Sequence, residues 1–149
     1  MEETLLLVRT EASRRGIRID KRWPGDLPIV WVEGAQIKQV FLNILLNAMQ
    51  AMPSGGVIEV RMHASGECIT TEIHDQGKGM PAEVKAQLFT PFFTTKPNGV
   101  GLGLSISQRM IKGHRGTIRV TSQQGTGTTV RIAFPLVGEK ADEQDLAGG

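Results

Sequence analysis

The sequence predicts an α/β fold, a two-layer sandwich built from one mixed, mostly antiparallel sheet with helices on one face. Three observations predict it. A long segment from about Gly34 to Met52 places apolar residues at helical spacing. Two pairs of short apolar-rich segments, Val57–His63 with Cys68–His74 and Thr117–Ser122 with Thr128–Phe134, are each joined by a glycine-bearing turn and read as strand pairs. Helices are interspersed with these pairs, there is no internal repeat, and 149 residues fit one compact domain.

The elements follow in order. Thr4 to Arg15 has a helical pattern that ends at Gly16, a C-cap residue. Ile17, Ile19 and Trp23 alternate with charges, as in a half-buried strand, and Pro24-Gly25-Asp26 is a turn. Pro28 to Val32 reads as a short strand. In the long helix, Ile37, Val40, Phe41, Ile44, Leu45, Ala48 and Met52 form a core face, and Leu42, Leu46 and Met49 form a second apolar stripe. Between the stripes runs a polar seam of Gln39, Asn43, Asn47 and Gln50. A helix apolar on two sides is expected to be largely buried. A buried amide without a partner costs roughly 1–3 kcal/mol, so the seam is expected to face something polar: a loop, water or a ligand. Pro53-Ser54-Gly55-Gly56 stops the helix, and Ala64-Ser65-Gly66-Glu67 turns the first strand pair. A short helix from Pro81 to about Leu88 leads into a loop ending near Gly99. A second helix opens there and runs through Lys112. The last two strands turn at Gln123 to Gly127, and Pro135 ends them.

Composition narrows the function classes. Hydrophobic residues make up 40% of the chain and charged residues 21%, and the net charge is +2, as in an ordinary globular domain. The single Cys68 excludes an intrachain disulfide and fits a reducing, cytoplasmic setting. No apolar run approaches the roughly 20 residues of a membrane helix. Arg9, Arg14, Arg15, Arg18, Lys21 and Arg22 cluster near the N-terminus, with Glu11 and Asp20 among them. No aromatic or recognition-helix pattern accompanies them, so they read as a solvated face and not as a nucleic-acid surface. The stretch from Gly138 to Gly149 is acidic, rich in Gly and Ala, and expected to be disordered.

Two of three glycine clusters carry candidate chemistry. Asp75-Gln76-Gly77-Lys78-Gly79-Met80 follows an apolar-rich strand; its glycines permit bends and close approach, and Asp75 offers an acceptor to a ligand amine such as N6 of adenine. A plain turn would explain the same pattern. Gly99-Val100-Gly101-Leu102-Gly103-Leu104 stands at a helix start, where free N–H groups and the helix dipole favour anions. It is neither the Gly-x-Gly-x-x-Gly of a dinucleotide fold nor a P-loop. Gly125-Thr126-Gly127-Thr128-Thr129 reads, taken alone, as a hairpin turn.

In order, these segments resemble the ATP-binding domain of sensor histidine kinases, in the superfamily that also holds type II topoisomerases, MutL-type repair proteins and heat-shock chaperone ATPases. Asn43 to Ala48 resembles the asparagine box and Asp75 to Gly79 the first glycine box. Leu88 to Lys96 resembles the phenylalanine box, Gly99 to Leu104 the second glycine box, and Gly127-Thr128 the final Gly-Thr element. The resemblance spans about residues 5 to 136 and implies a Bergerat-type sandwich that uses ATP and Mg²⁺. It implies that Asp75 bonds the adenine amino group, with Gly79 and Thr128 completing the purine pocket. Asn47 would hold Mg²⁺, and Asn43 would line the phosphate side. Residues from about Pro81 to Val100 would form a lid, from which Lys96 reaches the γ-phosphate. Gly101 and Gly103 would bring amides to the phosphates, with Gly77, Met80, Thr95, Gly99, Leu102 and Leu104 as further nucleotide positions.

Two departures refine the resemblance. Hydrolytic members carry a water-activating glutamate four residues before the magnesium asparagine, where this chain has Asn43. An amide is no general base, so slow hydrolysis is expected, together with phosphoryl transfer to an acceptor that brings its own base. Gln50 and Ala51 stand where many of these kinases have lysine or tyrosine, and Asn47-Ala-Met-Gln-Ala-Met-Pro53 resembles nitrogen-regulation-type kinases. His63, His74 and His114 lack the context of a phosphoacceptor and read as structural or surface residues. The expected acceptor is thus a histidine on a separate dimerisation hairpin, with a response regulator downstream. Residues 1–16 are expected to be the end of a connection to that hairpin, residues 17–137 the ATP-binding domain and 138–149 a tail. This piece is expected to be monomeric and the full-length protein homodimeric. Competing readings are a hydrolytic ATPase of the superfamily, an anti-sigma-type serine protein kinase, and a module that binds nucleotide without chemistry.

Overall fold

A computed structural model describes residues 1–25, 27, 32–91 and 103–136. Most of the short strand expected from Pro28 to Val32, the lid and second-glycine-box positions Thr95, Lys96, Gly99, Gly101 and Leu102, and the tail from Gly138 lie outside the described residues.

The chain runs α1 (Glu2–Arg14), β1 (Ile17–Arg22), α2 (Gly34–Gln50), β2 (Gly56–Ser65), β3 (Cys68–Asp75), α3 (Ala82–Ala86), α4 (Gly103–Gly113), β4 (Thr117–Gln123) and β5 (Gly127–Pro135). The five strands form one sheet in the order β1-β2-β3-β5-β4. β1 pairs with β2 in parallel, and the other three pairings are antiparallel, as expected for a mixed, mostly antiparallel sheet. Several bounds differ. β1 stops at Arg22, short of Trp23, whose ring instead lies 5.4 Å from the Lys21 ammonium. The turn between β2 and β3 is only Gly66-Glu67, and α3 is a single five-residue turn of helix.

Strand alternation sorts the two faces. Val60, Ile73 and Val130 stand in one row of the sheet, and Thr71 and Ile132 in the next. These turn inward under the helices. The opposite face is polar: His74 Nδ1 lies 2.7 Å from Thr129 Oγ1, and Arg131 pairs with Glu72 at 3.4 Å. α2 lies over the middle of the inner face between α1 and α4. Val40, Ile44, Leu45 and Met49 are fully or almost fully buried there against Ile58, Val60 and Ile73. α1 contributes Leu5, Val8 and Ala12 to this same core, although residues 1–16 read from sequence as a connection.

The polar seam of α2 is less buried than its two apolar stripes suggest. Gln39 and Gln50 are exposed, Asn43 and Asn47 half-buried, and Leu42 and Leu46 only half-buried. One side of α2 packs on the sheet and its flanks meet α1 and α4, which leaves the seam facing outward. The basic cluster is a solvated, self-paired surface: Arg14 and Arg15 bond Glu11, Arg18 bonds Asp20, and Lys21 bonds Glu2.

His114 ties two helices together. Its Nε2 accepts the Glu33 N–H at 2.9 Å, so Nδ1, 2.7 Å from the Met110 carbonyl, carries the proton. The start of α2 is thereby fixed to the end of α4. Truncating Leu45, which is 0% exposed at the centre of this core, is expected to lower unfolding free energy by about 2–5 kcal/mol in urea titrations of Leu45→Ala.

Candidate functional site

The loop after β3 is held from two sides. On one side is the C-terminal end of α2. Lys78 N–H donates to the Ala51 carbonyl at 3.4 Å, and a Cβ on Gly77 would stand 2.7 Å from the Ala51 Cβ. On the other side is the β4–β5 hairpin. Gly125 N–H donates to the Lys78 carbonyl at 2.6 Å, and Met80 N–H donates to Ser122 Oγ at 2.8 Å. The first glycine cluster is therefore built into the fold, where a free turn would serve as well for chain reversal alone.

Two glycines in this clasp have no substitute. Gly79 has φ +66°, and a Cβ on it would lie 2.1 Å from the Gln123 carbonyl oxygen. Gly127 has φ +140°, and its Cβ would lie 2.2 Å from the Asp75 carbonyl oxygen. Both combine a backbone conformation that other residues avoid with an approach that only a hydrogen permits. The Gly125–Thr129 segment is thus more than a turn, since it closes on the loop that carries Asp75.

Asp75 ends β3, pairs across the sheet with Ile58 and Thr128, and is 5% exposed. Its Oδ1 accepts the Gly77 N–H at 2.8 Å. Burial pushes its pKa above the ordinary 3.8; the N–H groups of Gly77 and Thr128 and the nearby His74 pull the other way and do not offset it. Among the described residues no ion pair joins this carboxylate. An inward-facing carboxylate with spare lone pairs and no cation suits a neutral donor such as an amine.

The asparagine helix reaches the same loop. Asn47 is half-buried one turn before Ala51, the residue that touches Gly77 and Lys78. Asn43 is occupied by its neighbours: its Oδ1 accepts from Gln39 Nε2 at 2.9 Å, and its Nδ2 donates to Ser107 Oγ of α4 at 3.4 Å. Ser107 is fully buried. Among the described residues no group of three His, Cys, Asp or Glu side chains gathers as a metal cage. That donor set fits Mg²⁺ only in the manner of nucleotide sites, where the ion keeps water and phosphate oxygens and takes one or two hard protein oxygens. The Asn47 carboxamide oxygen is such a donor.

The described structure therefore brings together Asp75, Gly77, Gly79, Met80 and Thr128, with the end of α2 beside them. Gly103 and Leu104 open α4, and Leu104 packs against the core. Sequence reasoning overlooked Ser122 and noted Ala51 only as a departure from the lysine or tyrosine of many such kinases. Ser122 is legible once the hairpin register is set, because it stands directly across from Thr128. Ala51 carries no chemical signal; only packing shows why a small residue follows the helix.

Comparison with known proteins agrees with this geometry. The sequence model of the family described as histidine kinase-, DNA gyrase B- and HSP90-like ATPases matches residues 33–138. The sensor histidine kinase ZraS of Escherichia coli (strain K12) is 37% identical over 144 residues, covering 97% of this chain and 31% of that protein. Sporulation kinase E of Bacillus subtilis (strain 168) is 37% identical over 145 residues, covering 97% of this chain and 20% of that protein. The chain thus spans less than a third of these relatives. Among solved structures, the nucleotide-free catalytic domain of histidine kinase ThkA superposes with a TM-score of 0.82 at 28% identity, covering 91% of this chain and 89% of that one. Full-length ShkA in complex with AMPPNP gives 0.81 at 26% identity, covering 91% of this chain and 29% of that one. The sandwich is the fold of histidine kinase catalytic domains, as the motifs implied.

Two outcomes follow from the clasp. Gly79→Ala is expected to displace the β4–β5 hairpin from the loop and to lower stability by about 1–3 kcal/mol, with amide exchange accelerating first at Gly125 and Met80. Asp75 has a raised folded-state pKa, so its favourable contribution is fully present below 3.8 and is lost as pH rises through the folded value. The unfolding free energy of Asp75→Asn relative to wild type is therefore expected to grow from acid to neutral pH. A pH-independent difference between the two would contradict a raised pKa.

Proposed function

We propose that this chain, which belongs to the family of histidine kinase-, DNA gyrase B- and HSP90-like ATPases, is the catalytic domain of a sensor histidine kinase that passes the γ-phosphoryl group of ATP to a histidine on a separate dimerisation hairpin. The observation that carries the reading is the buried Asp75 carboxylate. Among the described residues no cation pairs with it, the N–H groups of Gly77 and Thr128 hold it, and the loop that follows it is seated against the end of α2, the helix bearing Asn43 and Asn47. Such a carboxylate is suited to the two N–H bonds of the adenine amino group.

The chain's own part in the reaction is positioning. Asp75 fixes the base, while Gly79 and Thr128 close the purine pocket. Asn47 would hold Mg²⁺ by its carboxamide oxygen, and the ion, when bound, would neutralise phosphate charge. Gly103, which opens α4, and Lys96, Gly99 and Gly101, which lie outside the described residues, would serve the phosphates. Phosphoryl transfer needs alignment and charge stabilisation more than covalent participation. Asn43 stands where a water-activating base would be needed, and its amide is committed to Gln39 and Ser107. That supports transfer to a partner histidine and disfavours hydrolysis. His114 has both ring nitrogens engaged by backbone and His74 one nitrogen by Thr129, which supports placing the acceptor elsewhere. A response regulator downstream, a homodimeric full-length protein and a cytoplasmic setting belong to the same reading.

Calorimetric titration with Mg·ATP tests it. A hydrogen bond to a charged group contributes about 1.5–3 kcal/mol, so Asp75→Ala is expected to bind about 10–150-fold more weakly. Asn47→Ala is expected to lose the Mg²⁺-dependent part of the affinity. Unchanged affinity in Asp75→Ala would remove the site assignment. Transfer of labelled phosphate to an added histidine hairpin, with little release of free phosphate, then separates kinase from ATPase.

A further inference from the structure

We propose that Ser122 is a specificity-determining positioning residue: it directs the Thr128 hydroxyl proton away from the purine pocket, so that Thr128 and Asp75 both present lone pairs to the base. The proposal rests on reading Asp75 and Thr128 as purine contacts. Ser122 itself need not touch the base.

The sheet register sets the geometry. Ile58, Asp75, Thr128 and Ser122 form one row across β2, β3, β5 and β4, on the face that turns toward the helices. Ser122 Oγ has three neighbours. Met80 N–H donates to it at 2.8 Å, the Gly127 carbonyl lies 3.2 Å away, and Thr128 Oγ1 lies 2.9 Å away.

A serine hydroxyl has one proton and two lone pairs. Met80 N–H can only donate, so it takes one lone pair. The Gly127 carbonyl can only accept, so it takes the proton. The contact with Thr128 must then use the second lone pair, which makes Thr128 the donor. One assignment alone makes all three bonds at once. With its proton spent on Ser122, Thr128 Oγ1 is left as an acceptor. Asp75 is an acceptor whenever it is ionised, with Oδ1 already receiving one N–H from Gly77.

Two acceptors side by side match an exocyclic amine with two N–H bonds, met directly or through a bridging water. A 6-oxo purine presents a carbonyl oxygen at the same place, and acceptor faces acceptor. A site built on committed hydrogen-bond partners rejects such analogues strongly, because groups are left unpaired on both sides. Ser122 thus converts Thr128 from an adaptable hydroxyl, able to turn its proton toward either purine, into a fixed reader of the amine.

The test compares Mg·ATP with Mg·ITP, which carries a carbonyl in place of the amine, on the wild type, Ser122→Ala and Ser122→Thr. Wild type is expected to prefer ATP. In Ser122→Ala the freed Thr128 hydroxyl turns toward the inosine carbonyl, and the ATP-to-ITP affinity ratio is expected to fall about tenfold, the scale of one hydrogen bond. Ser122→Thr keeps the hydroxyl and is expected to restore the ratio. A variant in which both affinities fall equally, or neither changes, overturns the proposal by showing that Ser122 only supports the loop. Wild type that binds ATP without discriminating against ITP also overturns it, and leaves the ATP site standing. Wild type that binds neither nucleotide overturns the underlying site reading and this inference with it.

Discussion

The approach of Gly127 to the Asp75 carbonyl, where even a methyl group would stand 2.2 Å from the oxygen, organises this end of the molecule. It lets the β4–β5 hairpin fold onto the loop that follows β3. The hairpin then supplies Gly125 N–H to Lys78 and Ser122 Oγ to Met80, and the loop is seated against Ala51 at the end of α2. A larger residue at 127 would push the hairpin off the loop and leave Asp75 without its wall. The equally close approach of Gly79 to the Gln123 carbonyl seats the other side of the same hairpin, so the glycines at 79 and 127 together let it close on the loop.

Burying Asp75 has an energetic cost, visible in its raised pKa, and the fold tolerates it beside a well-packed apolar core. Ile44, Leu45 and Met49 of α2 and Ile58, Val60 and Ile73 of the sheet supply that core. A carboxylate held on a strand end beside such a core keeps its position with little rearrangement, as the proposed nucleotide contact would require. The same layout explains the half-exposed amide seam. α2 anchors by its apolar faces and keeps Asn43 and Asn47 on the side that the core does not claim.

Much of the fold was legible. The alternation in 57–63, 68–74, 117–122 and 128–134 and the helical stripe in 34–52 gave elements within a few residues of those observed. The errors have physical causes. Leu42, Leu46 and Met49 looked like a second buried stripe, yet the first two are half-exposed, because periodicity reports which residues share a face and not what covers that face. Residues 1–16, expected from sequence to end a connection, contain α1, whose Leu5, Val8 and Ala12 pack into the core while Leu6 and Leu7 stay 64% exposed. Asp75, Gly77 and Gly79 stand out in the sequence by side-chain chemistry and glycine spacing, Thr128 only through the resemblance, and the structure places the four side by side. Ser122 was missed because a serine in a strand carries no signal until its cross-strand partner is known.

By itself the sequence determined the fold class, the asparagine and glycine clusters, and the lack of a glutamate at position 43. These depend on local propensity and on which functional groups are present, both written residue by residue. Only the tertiary structure decided what those clusters face. It set Gly127 against the Asp75 carbonyl, Gly79 against Gln123 and Ser122 among Met80, Gly127 and Thr128. Three of those contacts, Gly127 with Asp75, Gly79 with Gln123 and Ser122 with Met80, join residues about 40 to 50 positions apart. Their distances, and the direction of a hydroxyl proton, follow from strand register and close packing, which no single segment encodes.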